Sequence, residues 1–301
     1  MNRKSIRVCI SIELFLAVLC ASALHAQERQ IVPTWLYRNT AAAPERPSDI
    51  TTATCHFKPI FGAGDPDAFA VRSVARYGEA IVDPHGACAA VQYPQEDQIL
   101  VVLDGAGEAQ YGDQQVPFKK DDYFYIPATV SHALQNTSAS PMTIVVMGFR
   151  TKGYAPSPLP AHPLKANIED VPTEFVSGHP ESAHYRLLLG DDTGERDHFD
   201  VGRVVTSLFL MQIDPGGTNF PHHHERAEEI YLILSGHGTI VAGGGMNGVE
   251  GRHPAKAGDA YFYRQNATVG YYSAPGVESH LLCVRSWYPG LAPSGWVGAK
   301  E

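Results

Sequence analysis

Along the first half of the chain, short runs that are apolar or alternate between apolar and polar residues are punctuated by Gly, Asp, Asn and Pro. Such runs occupy residues 71–77, 78–82, 89–93, 98–103, 108–111, 123–126, 131–135 and 142–149, each four to eight residues long. That is strand length, and strands at this spacing predict an all-β sandwich or barrel. Residues 27–54, with scattered Pro, Thr and Ala, predict an irregular arm ahead of the first run. Prolines at 156, 158, 160 and 163 mark residues 152–176 as a linker, within which 168–175 reads as a short extended or helical segment. The strand pattern then resumes. The chain thus divides into a first domain at 27–151 and a second at 177–301.

Laid on one another, the two halves show a duplication. Asp83-Pro-His-Gly86 lies over Asp214-Pro-Gly-Gly217, Gln98-Ile99 over Glu229-Ile230 and Leu103-Asp-Gly-Ala-Gly107 over Leu234-Ser-Gly-His-Gly238, all at an offset of 131 residues. Upstream, Cys55-His-Phe-Lys matches Ala183-His-Tyr-Arg at 128; downstream, Asp121 lies over Gly258 at 137. Fixed blocks separated by small insertions are the mark of a repeated domain.

One stretch, residues 214–238, spells out a chemistry. His222 and His224 are one residue apart, so on a strand both imidazoles leave the same face and His223 leaves the other. The apolar run that follows, ending at Gly236, predicts a second buried strand. Pairing of the two would bring Glu229 beside the imidazoles; Glu228 is the rival carboxylate, disfavoured because Ile230, Leu232 and Leu234 would share its face. A histidine run beside charges is also what a solvated loop shows, but the flanking glycines and the apolar run favour a strand-borne site. Two imidazoles and a carboxylate suit one divalent transition metal, Mn, Fe, Ni or Zn, and leave coordination positions for a substrate or O2. Tyr231, two residues on, shares the face of Glu229 and is the candidate proton donor or substrate-orienting group. Its bland alternative is an ordinary barrel aromatic.

The two copies are chemically unequal. At offset 131 the three candidate ligands fall over Val91, Tyr93 and Gln98, so the first copy lacks all of them. It keeps one histidine further on, His132, over Val269 of the second copy at offset 137.

The spacing Gly216, His222, His224, Glu229, Gly236 resembles the first motif of the cupin family, and Pro127, Thr129, His132, Asn136 resembles the second, with Thr where the family usually has Gly. With the repeat, the chain resembles a bicupin. The resemblance implies two tandem antiparallel jelly-roll barrels, with the metal site in the second. It also implies a departure: the metal-binding histidine of the second motif is Val269 here. Three ligands remain, and His280, Gln265, Tyr263 or water are the candidates for a fourth; His132 is the remnant in the first barrel.

Composition bounds these readings. At 301 residues and 44% hydrophobic content the chain holds enough apolar residues for two ordinary domains. The basic start, the apolar stretch to Leu24 and the sequence Leu24-His-Ala26 predict a secretory signal over residues 1–26, hence a secreted or periplasmic protein, although Glu13 interrupts the apolar run. A net charge of −9, with no Lys/Arg cluster, argues against a nucleic-acid partner, and the apolar run is too short for a membrane anchor. Cys55, Cys88 and Cys283 would remain after processing; Cys55 with Cys88 is the pair nearest in sequence, and three free buried thiols is the other reading. Open sheet edges in such barrels allow a homodimer.

Bicupins of this resemblance include oxalate decarboxylases, dioxygenases, sugar isomerases, ureidoglycine aminohydrolases and proteins that only bind. The expectation is an exported metal-dependent enzyme, an oxidoreductase of the oxygenase kind or a decarboxylase, acting on a small oxygen-rich molecule that chelates the metal. The alternative is a non-catalytic small-molecule or sugar-binding module with a structural metal. Solvent access to the metal discriminates them, because structural sites are closed and catalytic ones keep an open position.

Overall fold

A computed structural model describes residues 31–155, 159–244 and 250–291; the expected signal segment, 1–26, lies outside the described residues. The first half contributes β1 (Trp35–Asn39), β2 (Cys55–Gly62), β3 (Val74–Val82), β4 (Glu96–Asp104), β5 (Ala106–Tyr111), β6 (Gln114–Lys119), β7 (Asp122–Ile126), β8 (His132–Asn136) and β9 (Met142–Arg150). Between the halves run β10 (Leu164–Asn167) and β11 (Thr173–Glu174). The second half holds β12 (Ala183–Asp191), β13 (Phe199–Gly202), β14 (Val205–Ile213), β15 (His222–His223) and β16 (Ala227–Ser235), then β17 (His237–Gly244), β18 (Glu250–Lys256), β19 (Asp259–Tyr263), β20 (Ala267–Ser273) and β21 (Ser279–Trp287). The fold is all-β, with tandem antiparallel jelly rolls.

The sheet orders show the duplication directly. In the first barrel a sheet ordered β10-β7-β4-β9-β3-β2 faces β6-β5-β8; in the second, β1-β19-β16-β21-β14-β12-β11 faces β15-β20-β17-β18. Each pair of sheets encloses its own apolar core, one around Phe57, Leu100 and Phe124, the other around Phe209, Ile233 and Leu281. Residues 99–102 are all at most 2% exposed. They show no alternation because their sheet is covered on both faces: by its own barrel inside, and by the other barrel outside. Across that second interface Phe61 and Phe262 stack with ring centres 5.9 Å apart, and Arg203 approaches Asp97 at 3.2 Å.

Both stretches expected to lack barrel structure carry a strand. β1, in the arm, pairs with β19 of the second barrel, and β10, in the linker, pairs with β7 of the first. Each barrel is thus completed by the strand that precedes the other. The run 78–82 merges with the end of 71–77 into the single strand β3, while 89–93 forms no strand and makes only an isolated bridge, Val91 to His132. Cys55 and Cys88 form a disulfide that ties β2 to the loop before β4, and Cys283 is free and buried.

Candidate metal centre

β15 is only two residues long and pairs through His222 with Val269 of β20. The backbone N–H of Asn266 donates to the carbonyl of His224 at 2.9 Å and holds the chain extended one residue further. The imidazoles of His222 and His224 consequently lie together, ring centres 4.9 Å apart and edge-on. Glu229 stands on β16, opposite Tyr263 of β19 and Arg285 of β21. One potential ligand atom from each of His222, His224 and Glu229 lies within 4.8 Å of the others. Glu228 faces the other way: fully buried, it accepts hydrogen bonds from the backbone N–H groups of Arg72 and Ser73 and from Ser73 Oγ, at 3.0, 2.7 and 2.6 Å. The two neighbouring carboxylates have separate tasks, one at the site and one clamping the barrels together.

The donor set fits a divalent cation. Both Glu229 oxygens and His224 Nε2 are buried without an aligned hydrogen bond, although His224 Nε2 comes within 3.0 Å of Glu229 Oε2. Lone pairs that converge without a donor are costly to bury, and a shared cation would remove that cost. His222 Nδ1 lies 2.9 Å from the Phe220 carbonyl, which fixes the proton on Nδ1 and leaves Nε2 as the free donor atom. Burial pushes the Glu229 carboxyl up, but His224, Arg285 and His222 outweigh it and hold the group below its ordinary value. Burial holds His222 below the ordinary imidazole value, against the pull of Glu229. Anionic carboxylate and neutral imidazole are the states a metal requires.

Tyr231 lies on the same face of β16 as Glu229, and its phenol accepts a hydrogen bond from Asn219 Nδ2 at 2.9 Å. Asn219 Oδ1 in turn accepts from the Tyr271 backbone N–H at 2.8 Å. Burial, then Glu229, raises the Tyr231 pKa well above the ordinary phenol value, so it keeps its proton. The phenol is oriented by Asn219 and retains a hydrogen to give.

Of the candidates for a fourth ligand, His280 is displaced. It pairs with Gln212 and Ser235, at the far end of β21 from Arg285, and its Nε2 lies 2.8 Å from Glu278 on the outer surface. The reason is strand period: Leu281 and Cys283 point into the core, so His280 points out. Gln265 is turned away, donating to the Glu225 carbonyl at 2.6 Å. Tyr263 stays beside the site, its ring 5.6 Å from that of Tyr231. His132, in the first barrel, is buried with Nδ1 3.0 Å from the Val130 carbonyl and its ring 5.8 Å from Tyr93. It stands there without a partner ligand, since Val91, Tyr93 and Gln98 hold the matching positions.

Four residues at the site carried no recognised motif. His179, from the loop before β12, packs edge-on to His222 at 5.4 Å, and burial lowers its pKa. Tyr185, Asn219 and Arg285 line the same inner cavity. The repeat offers a signal for three of them: they fall over Phe57, Cys88 and Gly148, so the second copy has polar groups where the first has none. The inner cavity, about 30 Å³, is bordered by His222, Glu229 and Tyr231. An outer cavity of about 540 Å³ is bordered by His224, and Arg196 and Arg285 line both. The ligand set therefore sits where a small chamber meets a large opening.

The sequence model of the cupin domain matches the chain twice, at residues 78–148 and 209–284. The chain is a member of the cupin family with two tandem domains, a bicupin. No curated protein matches it. Among solved structures it is similar to a Pseudomonas aeruginosa protein named for induction by glyoxylate, at 14% identity and a TM-score of 0.68, over 90% of this chain and 96% of that one. It is also similar to Lactobacillus farciminis oxalate decarboxylase in complex with formate, at 12% identity and a TM-score of 0.64, over 85% and 87%. A third is AerE from Microcystis aeruginosa, at 17% identity and a TM-score of 0.59, over 81% and 97%. At these identities the likeness is one of fold.

Proposed function

We propose that this bicupin is an exported enzyme that binds one divalent transition metal through His222, His224 and Glu229 and acts on a small oxygen-rich molecule, by an oxygenase or decarboxylase type of reaction. The observation that supports the reading is that the three candidate ligands are not closed off: His224 borders the 540 Å³ opening, while His222 and Glu229 line the small chamber behind it. A structural metal would be saturated and closed off, whereas three side chains on an octahedral ion leave positions for a chelating substrate with water or O2. When bound, the metal would supply Lewis acidity and hold the substrate oxygens. Around it, Tyr231 would orient the substrate and give a proton, Asn219 would fix the phenol, and the walls of the inner chamber would exclude water. Oxalate decarboxylases share the fold at low identity, so oxalate belongs in the substrate screen.

Export has support from the N-terminal pattern and from the Cys55–Cys88 disulfide, a bond that persists in oxidising compartments. Expression with the full N-terminus in a bacterial host is expected to give mature protein beginning near Gln27; intact Met1 recovered from the cytoplasm would count against it.

The function is tested by elemental analysis followed by O2-uptake and CO2-release assays on oxalate, catechol-like and keto-acid substrates. The expected result is one metal per chain, lost in the double variant His222→Ala/His224→Ala together with any activity. Two equivalents of metal, or metal retained by the double variant, would overturn the site assignment. Stoichiometric metal with no exchangeable water by cobalt spectroscopy would instead make the site structural.

A further inference from the structure

Arg285 is a cation at the site that would not itself ligate the metal. It lies opposite Glu229 in the sheet and borders both cavities. Its Nε donates to Thr206 Oγ1 at 3.1 Å, and among the described residues no carboxylate forms a salt bridge with its guanidinium. The other two arginines of the outer cavity are engaged. Arg196 pairs with Asp197 at 3.1 Å; Arg226 donates to the Leu291 carbonyl and lies over the Trp287 ring at 5.4 Å. Glu229 opposite and Asp197 nearby feel the charge of Arg285 but close no salt bridge with it; Asp197 pairs with Arg196, and Glu225 is exposed.

The first barrel supplies an internal control. The position matching Arg285 is Gly148, and the arginine nearest that point, Arg76, comes from the neighbouring strand, where the second barrel has Ser207. Arg76 is locked by two carboxylates, Asp49 and Glu96, each at 2.7 Å. A β-carbon at Gly148 would come within 1.9 Å of Glu96 Oε1, so the site-facing space there is filled by the protein's own ion pairs. In the barrel without metal ligands the guanidinium is satisfied internally. In the barrel with them it has a hydroxyl, a carboxylate opposite that closes no salt bridge with it, and an open cavity.

We infer that Arg285 anchors a carboxylate of the substrate, which is therefore a metal-chelating hydroxy- or oxo-acid bearing a second carboxylate. A guanidinium presents a planar fork of N–H donors that matches a carboxylate, and in a partly enclosed cavity such a charge-assisted pair discriminates strongly against a neutral group. The volume of the outer cavity accommodates more than a two-carbon diacid. The inference rests on the metal-dependent reading of the same site.

The test uses the full mature protein loaded with Co(II), titrated with lactate and with malate, which share a chelating hydroxy-acid head and differ by one carboxylate. Binding is followed in the visible spectrum of the cobalt. Malate is expected to bind about ten- to a hundred-fold tighter than lactate. Compared at saturating Co(II), because the guanidinium also acts on Glu229, Arg285→Gln should erase that preference while the cobalt still responds to lactate, and Arg285→Lys should restore part of it. A malate preference that survives in Arg285→Gln, or no preference in the parent protein, overturns the role of Arg285 alone. Failure to take up Co(II), or cobalt that responds to neither acid, overturns the metal-dependent reading and the inference with it.

Discussion

Gln98 and Glu229 occupy equivalent points in the two barrels and face different surroundings. Gln98 Nε2 donates to Glu96 Oε1 at 2.5 Å, Arg76 lies over the Tyr93 ring at 4.2 Å, and the cavity left beside His132 is only about 10 Å³. Where the second barrel gathers unpaired lone pairs around an open point, the first fills the same place with an amide, rings and the Arg76 ion pairs, leaving Gln98 Oε1 buried without an aligned hydrogen bond. His132 is buried in that packing, and its burial, reinforced by Arg76, holds its pKa below the ordinary value of 6.5. A histidine with a depressed native pKa is protonated more readily in the unfolded chain, so folding releases a proton below pH 6.5 and stability falls as the pH drops through that value toward the native pKa. Thermal melts of metal-free protein between pH 7.5 and 5.5 should show a falling Tm. In His132→Gln the slope should be shallower; an unchanged slope would mean that other groups carry the acid sensitivity.

At the scale of elements, the strands with inward-facing apolar residues were legible in the sequence and those without were not. β4 and β9 announce themselves through Ile99–Val102 and Ile144–Met147, whereas β1 buries only Leu36 and β10 buries no residue fully. β6, Gln114–Lys119, contains a proline and only Phe118 buried, which leaves no period to detect. The His222–His224 pair was legible because its spacing matches the strand period. The contribution of His179 was not, because it comes from a loop, and that of Arg285 shows only when the two copies are compared, because local sequence does not specify the pairing register that places it. The turn before β8 shows the opposite case. Thr129, where the related motif usually has Gly, has φ 76°, and Asn266, its counterpart in the second barrel, has φ 62°. The backbone keeps the shape of the motif although the residue that suits it has gone. A β-branched residue in the left-handed region is strained by roughly 1–2 kcal/mol, partly offset in a glycine variant by the added entropy of the unfolded chain. Thr129→Gly is expected to stabilise the protein by about 0.5–1 kcal/mol in denaturant titrations, and a loss of stability would show that the Thr129 side chain contributes more than the strain costs.

For the whole molecule, the reciprocal strands decide how the barrels depend on each other. Asn39 on β1 donates to Asp259 Oδ1 at 2.8 Å, and Asn167 on β10 donates to Asp122 Oδ1 at the same distance. In both places the second carboxylate oxygen accepts from a backbone N–H at the preceding turn, that of Lys256 or of Lys119, at 3.0 Å. Asp259 and Asp122 are each 2% exposed. The duplicated unit thus carries a latch, an asparagine on the leading strand, and uses it on the other copy's sheet. Tyr261 and Tyr263 are buried beneath the strand that arrives from residues 35–39, so a second barrel lacking the arm would expose a sheet edge and two large aromatics. Removing Asn39 alone withdraws one of two side-chain donors from Asp259 Oδ1, which keeps the Tyr37 hydroxyl at 3.0 Å, so the cost is that of one hydrogen bond, about 1 kcal/mol. If the barrels fold as one cooperative unit, Asn39→Ala and Asn167→Ala should each shift a single unfolding transition, and the double variant should shift it by the sum, because the latches lie in different sheets and share no partner. Deleting residues 31–40 should lower the Tm further and weaken divalent-metal uptake at His222, His224 and Glu229, although none of them is touched. A fragment spanning 177–301 that melts cooperatively at the temperature of the full chain would show that the second barrel needs no strand from the first half, and that the exchange is incidental to its stability.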